Sequence, residues 1–199
     1  MDESLTRCWW AAGDAVDPLM ADYHDTEWGV PTADDRELFE RLTLECFQAG
    51  LSWSLILHKR AGFRAAFRGF EPAVVAAYGE ADVARLLADP DIVRNGAKIR
   101  ATIGNAAAVL QRQAESGSFA AFLAPYGQRP PRQLPRCATA TEVPATSPAS
   151  DALSAALRDR GFRFVGSTVV YAFMQSVGLV DDHMPGCFRY GASAQDRPR

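Results

Sequence analysis

Glu45 is a carboxylate in the middle of an apolar helix face. At about 100° per residue, three apolar residues share its sector of a predicted helix: Leu38, Leu42 and Ala49. An unpaired buried carboxylate is costly or takes up a proton. The position therefore indicates either an arginine partner in the core or a site that binds a ligand.

Large flat side chains lie near Glu45 in the sequence. Tyr23, Trp28 and Trp53 can line a pocket that stacks a planar ring. Each of them taken singly is more simply explained as a core residue. Their combination with a carboxylate favours the ligand site.

Two Cys–His pairs lie at opposite ends of the chain. Cys8 and His24 have 15 residues between them, and His183 and Cys187 have three, within a Pro-Gly turn. Each pair alone can be incidental. Together they supply the four ligands of a tetrahedral zinc site with no open coordination position. Such a metal would be structural and would join the two ends of the chain.

A helix, a short glycine turn and a second helix are predicted in the C-terminal part. Gly161 and Gly166 flank the turn, and the second helix begins with Ser167 and Thr168. Free backbone N–H groups at that N-terminus can hold a phosphate. This suits docking to a DNA backbone without reading bases. A plain αα-hairpin is the alternative.

Helical patterns cover most of the chain and must position these residues. One helix is predicted from Asp34 to Ala49, with Thr32 as the candidate N-cap and Gly50 as the stop. Periodicity and cap residues predict further helices over the following stretches: from Ser52 towards Phe67, after Pro72, from Asp82 to Asp89–Pro90, 97–114, 119–124, 147–161 and 167–177. No strand pattern competes, so the fold class is all-α.

Half of the twelve prolines fall between residues 125 and 148, where the helical pattern stops. A connection of that length in a compact domain is often functional or marks a lobe boundary, and a solvated tether is the alternative. We predict a single domain over residues 1–199, with this connection at about 125–148.

The composition is that of an ordinary globular protein: 199 residues, 48% hydrophobic and 23% charged. The acidic N-terminal segment lacks an apolar stretch, and the longest apolar run, 164–180, is interrupted by polar residues. We therefore expect neither a signal peptide nor a membrane span, and a location in the reducing cytoplasm. The four cysteines are then core thiols or metal ligands and not disulfides: Cys8, Cys46, Cys137 and Cys187.

Charge is distributed unevenly along the chain. Residues 1–50 carry 12 acidic and three basic residues, whereas residues 51–199 carry 18 basic and 12 acidic residues. Nineteen of the 21 basic residues are arginines, which suits phosphate recognition or reflects a GC-rich genome. The net charge of −3 therefore does not exclude a nucleic-acid partner.

Several motifs in fixed order resemble the bacterial 3-methyladenine DNA glycosylase I family. They extend from about Arg7 to Cys187 and read RCWW, YHDTEWGVP, LECFQAGLSW, IVRNGAKI and RGFRFVGSTVVYAFMQSVGLVDDH. The resemblance implies a two-lobed, all-helical fold of the helix-hairpin-helix glycosylase superfamily. It also implies one structural zinc ion with four ligands: Cys8, His24, His183 and Cys187.

The family's base pocket carries over to Tyr23, Glu45 and Trp53, with Trp10 and Trp28 supporting it. The implied reaction hydrolyses the N-glycosidic bond of 3-methyladenine in double-stranded alkylated DNA and leaves an abasic site. An ionised Glu45 is expected to favour the cationic methylated base, while the rings stack on it.

The target base must be flipped out of the duplex while the hairpin holds the backbone. The expected DNA contacts all lie in the hairpin: Phe164, Gly166, Ser167 and Thr168. We expect the chain to act as a monomer, with alkylated duplex DNA and zinc as partners and without a membrane.

The chain departs from the family pattern beside the pocket. Cys46 stands where the family usually has glycine, which predicts a tighter pocket wall. Asp181 lies about where related helix-hairpin-helix glycosylases place a catalytic aspartate, whereas this family is described as managing without one. We expect Asp181 to be an acid at the helix end or beside a zinc ligand.

Two other functions stay open from the residues alone. A non-enzymatic DNA-binding module held together by zinc would use the hairpin but has no need of Glu45. A helical enzyme acting on a small planar metabolite would use the pocket but has no need of a basic hairpin.

Overall fold

The computed structural model describes residues 5–13, 15–127 and 143–191. Within these ranges the chain is helical and contains no strand. The α-helices are α1 Pro18–Thr26, α2 Asp35–Gln48, α3 Trp53–Ala66, α4 Pro72–Ala76, α5 Glu80–Ala88, α6 Gly96–Ser116, α7 Phe119–Leu123, α8 Pro148–Asp159 and α9 Ser167–Ser176. Short 3-10 turns occupy Trp9–Ala11, Arg68–Phe70 and Ala124–Tyr126. The predicted all-α class is confirmed.

Helix α2 is the central element of the fold. Every residue from Leu38 to Phe47 is buried, and the helix packs against α3, α6 and α9. Its N-cap is Asp34, whose carboxylate accepts from the backbone N–H groups of the first turn, and not Thr32 as predicted. The Thr32 hydroxyl instead donates to Glu37 Oε2 at 2.6 Å. An ionised cap interacts better than a hydroxyl with the positive end of the helix dipole.

A buried ion-pair cluster joins α2 to α3. Glu40 is 6% exposed, and its Oε1 accepts from Arg60 Nε at 2.6 Å and from Arg64 Nε at 2.9 Å. Arg60 also donates to Glu27 Oε1 at 2.7 Å. This pairing satisfies a carboxylate that would otherwise be costly to bury.

The predicted helices after residue 50 are found with small shifts at their ends. Ser52 caps α3, Pro72 is the first residue of α4, and Gly117 ends α6 in the left-handed conformation at φ +83°. Helix α5 begins at Glu80, two residues earlier than predicted, because Gly79 is its N-cap and Asp82 caps back to the Gly79 N–H.

Helix α1 was not predicted from the sequence. It begins with Pro18 after Asp17, whose side chain accepts from the Leu19 N–H at 3.0 Å. Its amphipathic pattern is weak, since the buried side chains are few and include the polar His24. The helix matters because it carries Tyr23 and His24, adjacent residues of two different sites.

Helices α8 and α9 form the predicted hairpin and pack against each other. Ser147 caps α8 with Pro148 as its first residue, as expected. Most of the proline-rich connection, together with Cys137, lies outside the described residues. The division into two lobes stays a prediction.

None of the described helices is both long and apolar enough to cross a membrane.

Candidate functional site

A cavity of about 430 Å³ lies between α1, α2, α3, α9 and the N-terminal segment. Five aromatic side chains line it: Trp9, Trp10, Tyr23, Trp28 and Trp53. Four polar side chains also face it: Glu45, Gln48, Gln175 and Asp182. The residues predicted to form a ring-binding pocket are therefore brought to one place.

The rings of the cavity contact one another at tilted or edge-to-face angles. The centroids of Tyr23 and Trp53 are 5.3 Å apart at 49°, and those of Trp10 and Trp28 are 5.2 Å apart at 82°. Trp10 and Tyr23 complete the series at 6.4 Å. Such tilted contacts leave ring faces available to a flat ligand.

Glu45 enters the cavity from α2 and is 6% exposed. Burial raises the pKa of its carboxyl to about 8. Burial alone therefore favours the neutral acid, whereas the sequence-based expectation of an ionised Glu45 refers to the site with a cationic base beside it. A cation beside Glu45 would favour its ionised form, since no described residue of the cavity lining carries a positive charge.

The alternative of an arginine partner for Glu45 is not found among the described residues. Arg41, one turn earlier on α2, donates to the carbonyl oxygens of Glu27 and Ser176 and to the Glu37 carboxylate. Its guanidinium thus ties α2 to the C-terminus of α9 and to the loop after α1. This outcome favours the ligand site.

Two further polar atoms of the cavity residues are buried without a partner in the described chain. They are the Tyr23 hydroxyl oxygen and Trp53 Nε1. Burial, with the negative charge of Glu45 nearby, raises the pKa of Tyr23, so the phenol stays protonated. Buried polar groups in folded proteins usually have a hydrogen-bond partner, so these two atoms are candidates to contact a polar ligand.

Asp182 is a cavity residue that the sequence did not single out. It is 4% exposed, and its Oδ2 accepts from the Tyr171 hydroxyl at 2.6 Å and from Gln175 Nε2 at 2.7 Å. Asp181 lies outside the cavity lining and accepts from the N–H groups of His183, at 3.1 Å, and Gly191, at 2.9 Å. Two adjacent aspartates cannot be distinguished by spacing alone, because the turn after α9 decides which one points inward.

The four predicted metal ligands converge in a buried cluster next to the cavity: Cys8, His24, His183 and Cys187. Their ligand atoms all lie within 4.8 Å of one another. Cys8 Sγ is 3.6 Å from His183 Nδ1, and Cys187 Sγ is 3.4 Å from His24 Nε2. The cluster can bind a metal ion.

The separations within the cluster suit tetrahedral coordination. Metal–ligand bonds of about 2.0–2.3 Å place tetrahedral donors roughly 3.3–3.8 Å apart. The Trp28 carbonyl accepts from His183 Nε2 at 3.2 Å, which leaves Nδ1 facing the thiols. Gly29 allows this approach, since a Cβ there would lie 2.7 Å from His183 Nε2.

The Cys–His cluster also packs against the aromatic wall of the cavity. The Trp28 ring lies edge to face with His183, 4.6 Å between centroids, and Trp10 packs in the same way on His24 at 5.1 Å. Cys8 faces both the cluster and the cavity. The position of this wall therefore depends on the ligand geometry.

The hairpin turn presents some of its predicted contact residues and not others. Phe164 is 43% exposed and adopts the left-handed conformation at φ +58°, and Thr168 is exposed. The Ser167 hydroxyl instead donates to Asp151 Oδ1 at 2.5 Å and contacts the Ser150 hydroxyl at 2.8 Å. Its side chain is thus engaged within the protein, while the backbone N–H groups of the first turn of α9 stay available.

Cys46 does not narrow the cavity wall as the sequence suggested. It is absent from the cavity lining, and its thiol donates to the carbonyl oxygen of Phe164 at 3.3 Å. Its neighbour Glu45 faces the cavity because successive helical residues point about 100° apart.

These features together define the class of protein: an all-helical protein with a helical hairpin and a cavity for a planar ring. The helical hairpin of α8 and α9 accompanies an aromatic cavity with a buried carboxyl group that has no basic partner among the described residues, which suits a flat, polar ligand with positive charge.

The comparisons with known proteins identify the family within this class. The family model described as methyladenine glycosylase matches residues 10–190. The chain belongs to this family.

Curated relatives match over nearly the full chain. The DNA-3-methyladenine glycosylase 1 of Escherichia coli is 48% identical over 186 residues, which cover 94% of this chain and 97% of that protein. The DNA-3-methyladenine glycosylase of Haemophilus influenzae is 40% identical and covers 92% and 96%.

Solved structures of the family have the same fold. A crystal structure of 3-methyladenine DNA glycosylase I superposes with a TM-score of 0.85 at 48% identity and covers 92% of this chain and 98% of that chain. The enzyme from Staphylococcus aureus, described for its recognition of 3-methyladenine, gives a TM-score of 0.82 at 36% identity and covers 87% and 92%.

Proposed function

We propose that this protein is a DNA repair N-glycosylase that removes 3-methyladenine from alkylated double-stranded DNA. The observation that carries the proposal is a buried carboxyl group in an aromatic cavity, together with a buried polar atom on each of two of its ring side chains, none of the three with a hydrogen-bond partner among the described residues. They are the Glu45 carboxyl group, the Tyr23 hydroxyl and Trp53 Nε1. Membership of the methyladenine glycosylase family supports the same substrate.

Glu45 is the group that distinguishes a methylated base from adenine. Methylation of the ring nitrogen makes the base of the nucleoside cationic, and a cation next to Glu45 favours the ionised carboxylate over the neutral acid. Neutral adenine provides no such compensation for burying a charge. The rings of Tyr23 and Trp53 stack on either base. They add a cation–π attraction for the methylated base, which a neutral base lacks.

The bond that breaks joins the base to the deoxyribose carbon. The base leaves with the bonding electron pair and becomes neutral, and a water molecule adds to the sugar carbon and loses a proton, so an abasic site remains. The cationic base is already a good leaving group and requires little help from a general acid. The main tasks of the protein are therefore to extract, select and orient the nucleotide.

The metal that the Cys–His cluster would hold is zinc. Two thiolates and two imidazoles are a ligand set typical of structural zinc, and with four protein ligands no coordination position remains for water or substrate. When bound, zinc supplies a crosslink between the two ends of the chain and no step of the reaction. The residues Cys8, His24, His183 and Cys187 would hold it.

DNA docking would use the hairpin between α8 and α9. Its backbone N–H groups and the exposed Phe164 and Thr168 form the surface from which a flipped nucleotide would reach the cavity. We propose that the protein acts as a monomer on DNA in the cytoplasm. No membrane takes part in this activity.

The test is incubation with methylated duplex DNA followed by chromatography of the released bases. We expect 3-methyladenine release by the wild type, no release from undamaged DNA, and loss of most of the activity in Glu45→Gln. Glu71→Gln is the matched control, because Glu71 is exposed and does not line the cavity. Tight binding of methylated or abasic DNA without base release would instead identify a non-enzymatic damage-binding module.

A further inference from the structure

Three buried side chains form hydrogen bonds to the backbone of the hairpin turn. Asn105, in the middle of α6, holds the backbone of Arg163 at both ends. Its Nδ2 donates to the Arg163 carbonyl oxygen at 3.1 Å, and its Oδ1 accepts from the Arg163 N–H at 2.8 Å. Asn105 is 2% exposed, so the amide that makes both hydrogen bonds is buried.

The next two carbonyl groups of the turn are held in the same way by two other helices. The Cys46 thiol of α2 donates to the Phe164 carbonyl oxygen at 3.3 Å. The Ser154 hydroxyl of α8 donates to the Val165 carbonyl oxygen at 2.7 Å. Both side chains are 3% exposed. We call Cys46, Asn105 and Ser154 the turn clamp.

The clamp determines where the N–H groups of the turn point. In a trans peptide the N–H of one residue points opposite to the carbonyl group of the residue before it. Carbonyl groups that are directed into the protein therefore direct the N–H groups after them away from it. Phe164 is exposed and Gly166 is half-buried, whereas Val165 is only 1% exposed, so the N–H groups that can meet a ligand are those of Phe164 and Gly166. Within the described chain neither of these two N–H groups donates to a protein acceptor.

The clamp also holds Phe164 in an uncommon conformation. Its φ of +58° lies in the left-handed region, which residues with a Cβ seldom adopt unless surrounding contacts impose it. Here the carbonyl groups of Arg163, Phe164 and Val165 each accept a hydrogen bond from a buried side chain. The phenyl ring is left at the surface of the turn, 43% exposed.

Cys46 connects this turn directly to the cavity. Glu45 and Cys46 are adjacent on α2, one facing the cavity and the other holding the turn. The distance between a base in the cavity and a phosphate on the turn is thereby fixed by a single buried helix.

We propose that Asn105, together with Cys46 and Ser154, is a positioning residue for DNA binding. The clamp pre-orders the outward N–H groups of Phe164 and Gly166 for a DNA phosphate and sets them at a fixed distance from the cavity. Since preorganised donors bind an anion without a further loss of conformational freedom, the clamp contributes to DNA affinity and not to base recognition. The inference rests on the proposed function in taking DNA as the ligand.

The experiment separates binding of DNA from binding of the base. We would measure the Kd for a duplex containing a tetrahydrofuran abasic-site analogue, the Kd for free 3-methyladenine from quenching of tryptophan fluorescence, and the single-turnover rate at saturating enzyme. The variant is Asn105→Ala. Thr102→Val is the matched control, because Thr102 is also buried on α6, 2% exposed, but its hydroxyl donates only to the Lys98 carbonyl of its own helix.

We expect Asn105→Ala to weaken the DNA complex by about tenfold or more, the size of one lost hydrogen bond to a charged group. The Kd for 3-methyladenine and the rate at saturation should stay within a few fold of the wild type, as in Thr102→Val. A DNA affinity equal to that of Thr102→Val in a folded Asn105→Ala protein would overturn the proposal. So would a loss of base affinity as large as the loss of DNA affinity.

Cys46 provides a second test should Asn105→Ala fail to fold. Cys46→Ala removes one donor to the turn and should weaken DNA binding, whereas Cys46→Ser retains a hydroxyl donor and should restore it. Equal DNA affinities for these two variants would contradict the clamp. The DNA affinities are measured on an abasic-site analogue and need no base release. Failure of the wild type to release 3-methyladenine would therefore overturn the proposed function and leave the test of the clamp intact.

Discussion

Asp25 orients His24 within the Cys–His cluster. His24 Nδ1 lies 2.9 Å from Asp25 Oδ1, and the same carboxylate accepts from Arg7 Nε at 2.9 Å and Nη2 at 2.7 Å. With Nδ1 donating to the carboxylate, the lone pair of His24 is on Nε2, which faces Cys187 Sγ at 3.4 Å. Carboxylates placed in this way fix the tautomer of a ligating histidine and make it a better ligand.

Asp25→Asn should therefore weaken zinc binding. We expect a loss of about 10–100-fold in affinity, the usual effect of removing an outer partner of a ligating histidine. Competition with a chromophoric chelator measures it. The control is Asp22→Asn, an exposed acid on the same helix, which should bind zinc like the wild type. Equal affinities for the two variants would refute the orienting role of Asp25.

Loss of the metal should affect both stability and the aromatic wall. Cys187→Ser should fail to retain zinc through gel filtration, where the wild type retains one ion per chain, and should have a lower Tm. Since Trp10 and Trp28 pack on the ligands His24 and His183, tryptophan fluorescence should change and the affinity for 3-methyladenine should fall. Metal analysis that finds no zinc in carefully reconstituted wild type would refute the assignment.

The sequence predicted the elements better than the directions in which their side chains point. Caps and prolines located α3, α4, α6 and α8 within a few residues, because these signals are local. Helix α1 was missed since its buried face includes His24, whose burial makes sense only once Cys8 and Cys187 surround it.

The candidate site was predictable where unusual residue types carried the signal. Glu45 on an apolar face and the Cys–His spacings are such signals. The inward turn of Asp182 and the clamp on Arg163 depend on long-range packing of α6 and α9 against the turn, which leaves no local pattern in the sequence.

The stability of the protein should fall with pH because of Glu45. Its pKa of about 8 in the folded chain lies above the ordinary value of 4.5, so folding favours the neutral acid. The raised pKa of Glu45 contributes its full stabilisation of the folded state below about pH 4.5, and this contribution is lost as the pH rises towards 8. Glu45→Gln lacks this titration, so its free energy of unfolding should rise relative to the wild type between these values. Denaturant melts at pH 5, 7 and 9 test this, and parallel curves would contradict it.

Base release should depend on the same carboxyl group in the opposite direction. If the ionised form selects the cationic base, kcat/KM on methylated DNA should rise with pH up to about 8, the pKa of Glu45 in the free enzyme. Glu45→Gln should show a low and flat profile. A wild-type profile without an inflection in this range, at constant DNA affinity, would show that Glu45 does not select the base by its charge.

Asp181 and Asp182 give the last prediction, because adjacent identical side chains here have different surroundings. Asp182 faces the cavity and accepts from Tyr171 and Gln175, whereas Asp181 accepts from backbone N–H groups in the turn that carries His183. Asp181→Asn should therefore retain most of the single-turnover rate of 3-methyladenine release at saturating enzyme. Asp182→Asn should reduce it more strongly, since an amide is a weaker acceptor for these two donors and the cavity loses a carboxylate. Zinc content and DNA affinity are measured in both variants, so that damage to the neighbouring metal ligand is recognised. A loss of about 100-fold or more in Asp181→Asn alone, with zinc and DNA binding unchanged, would make Asp181 a catalytic acid or base and overturn this assignment.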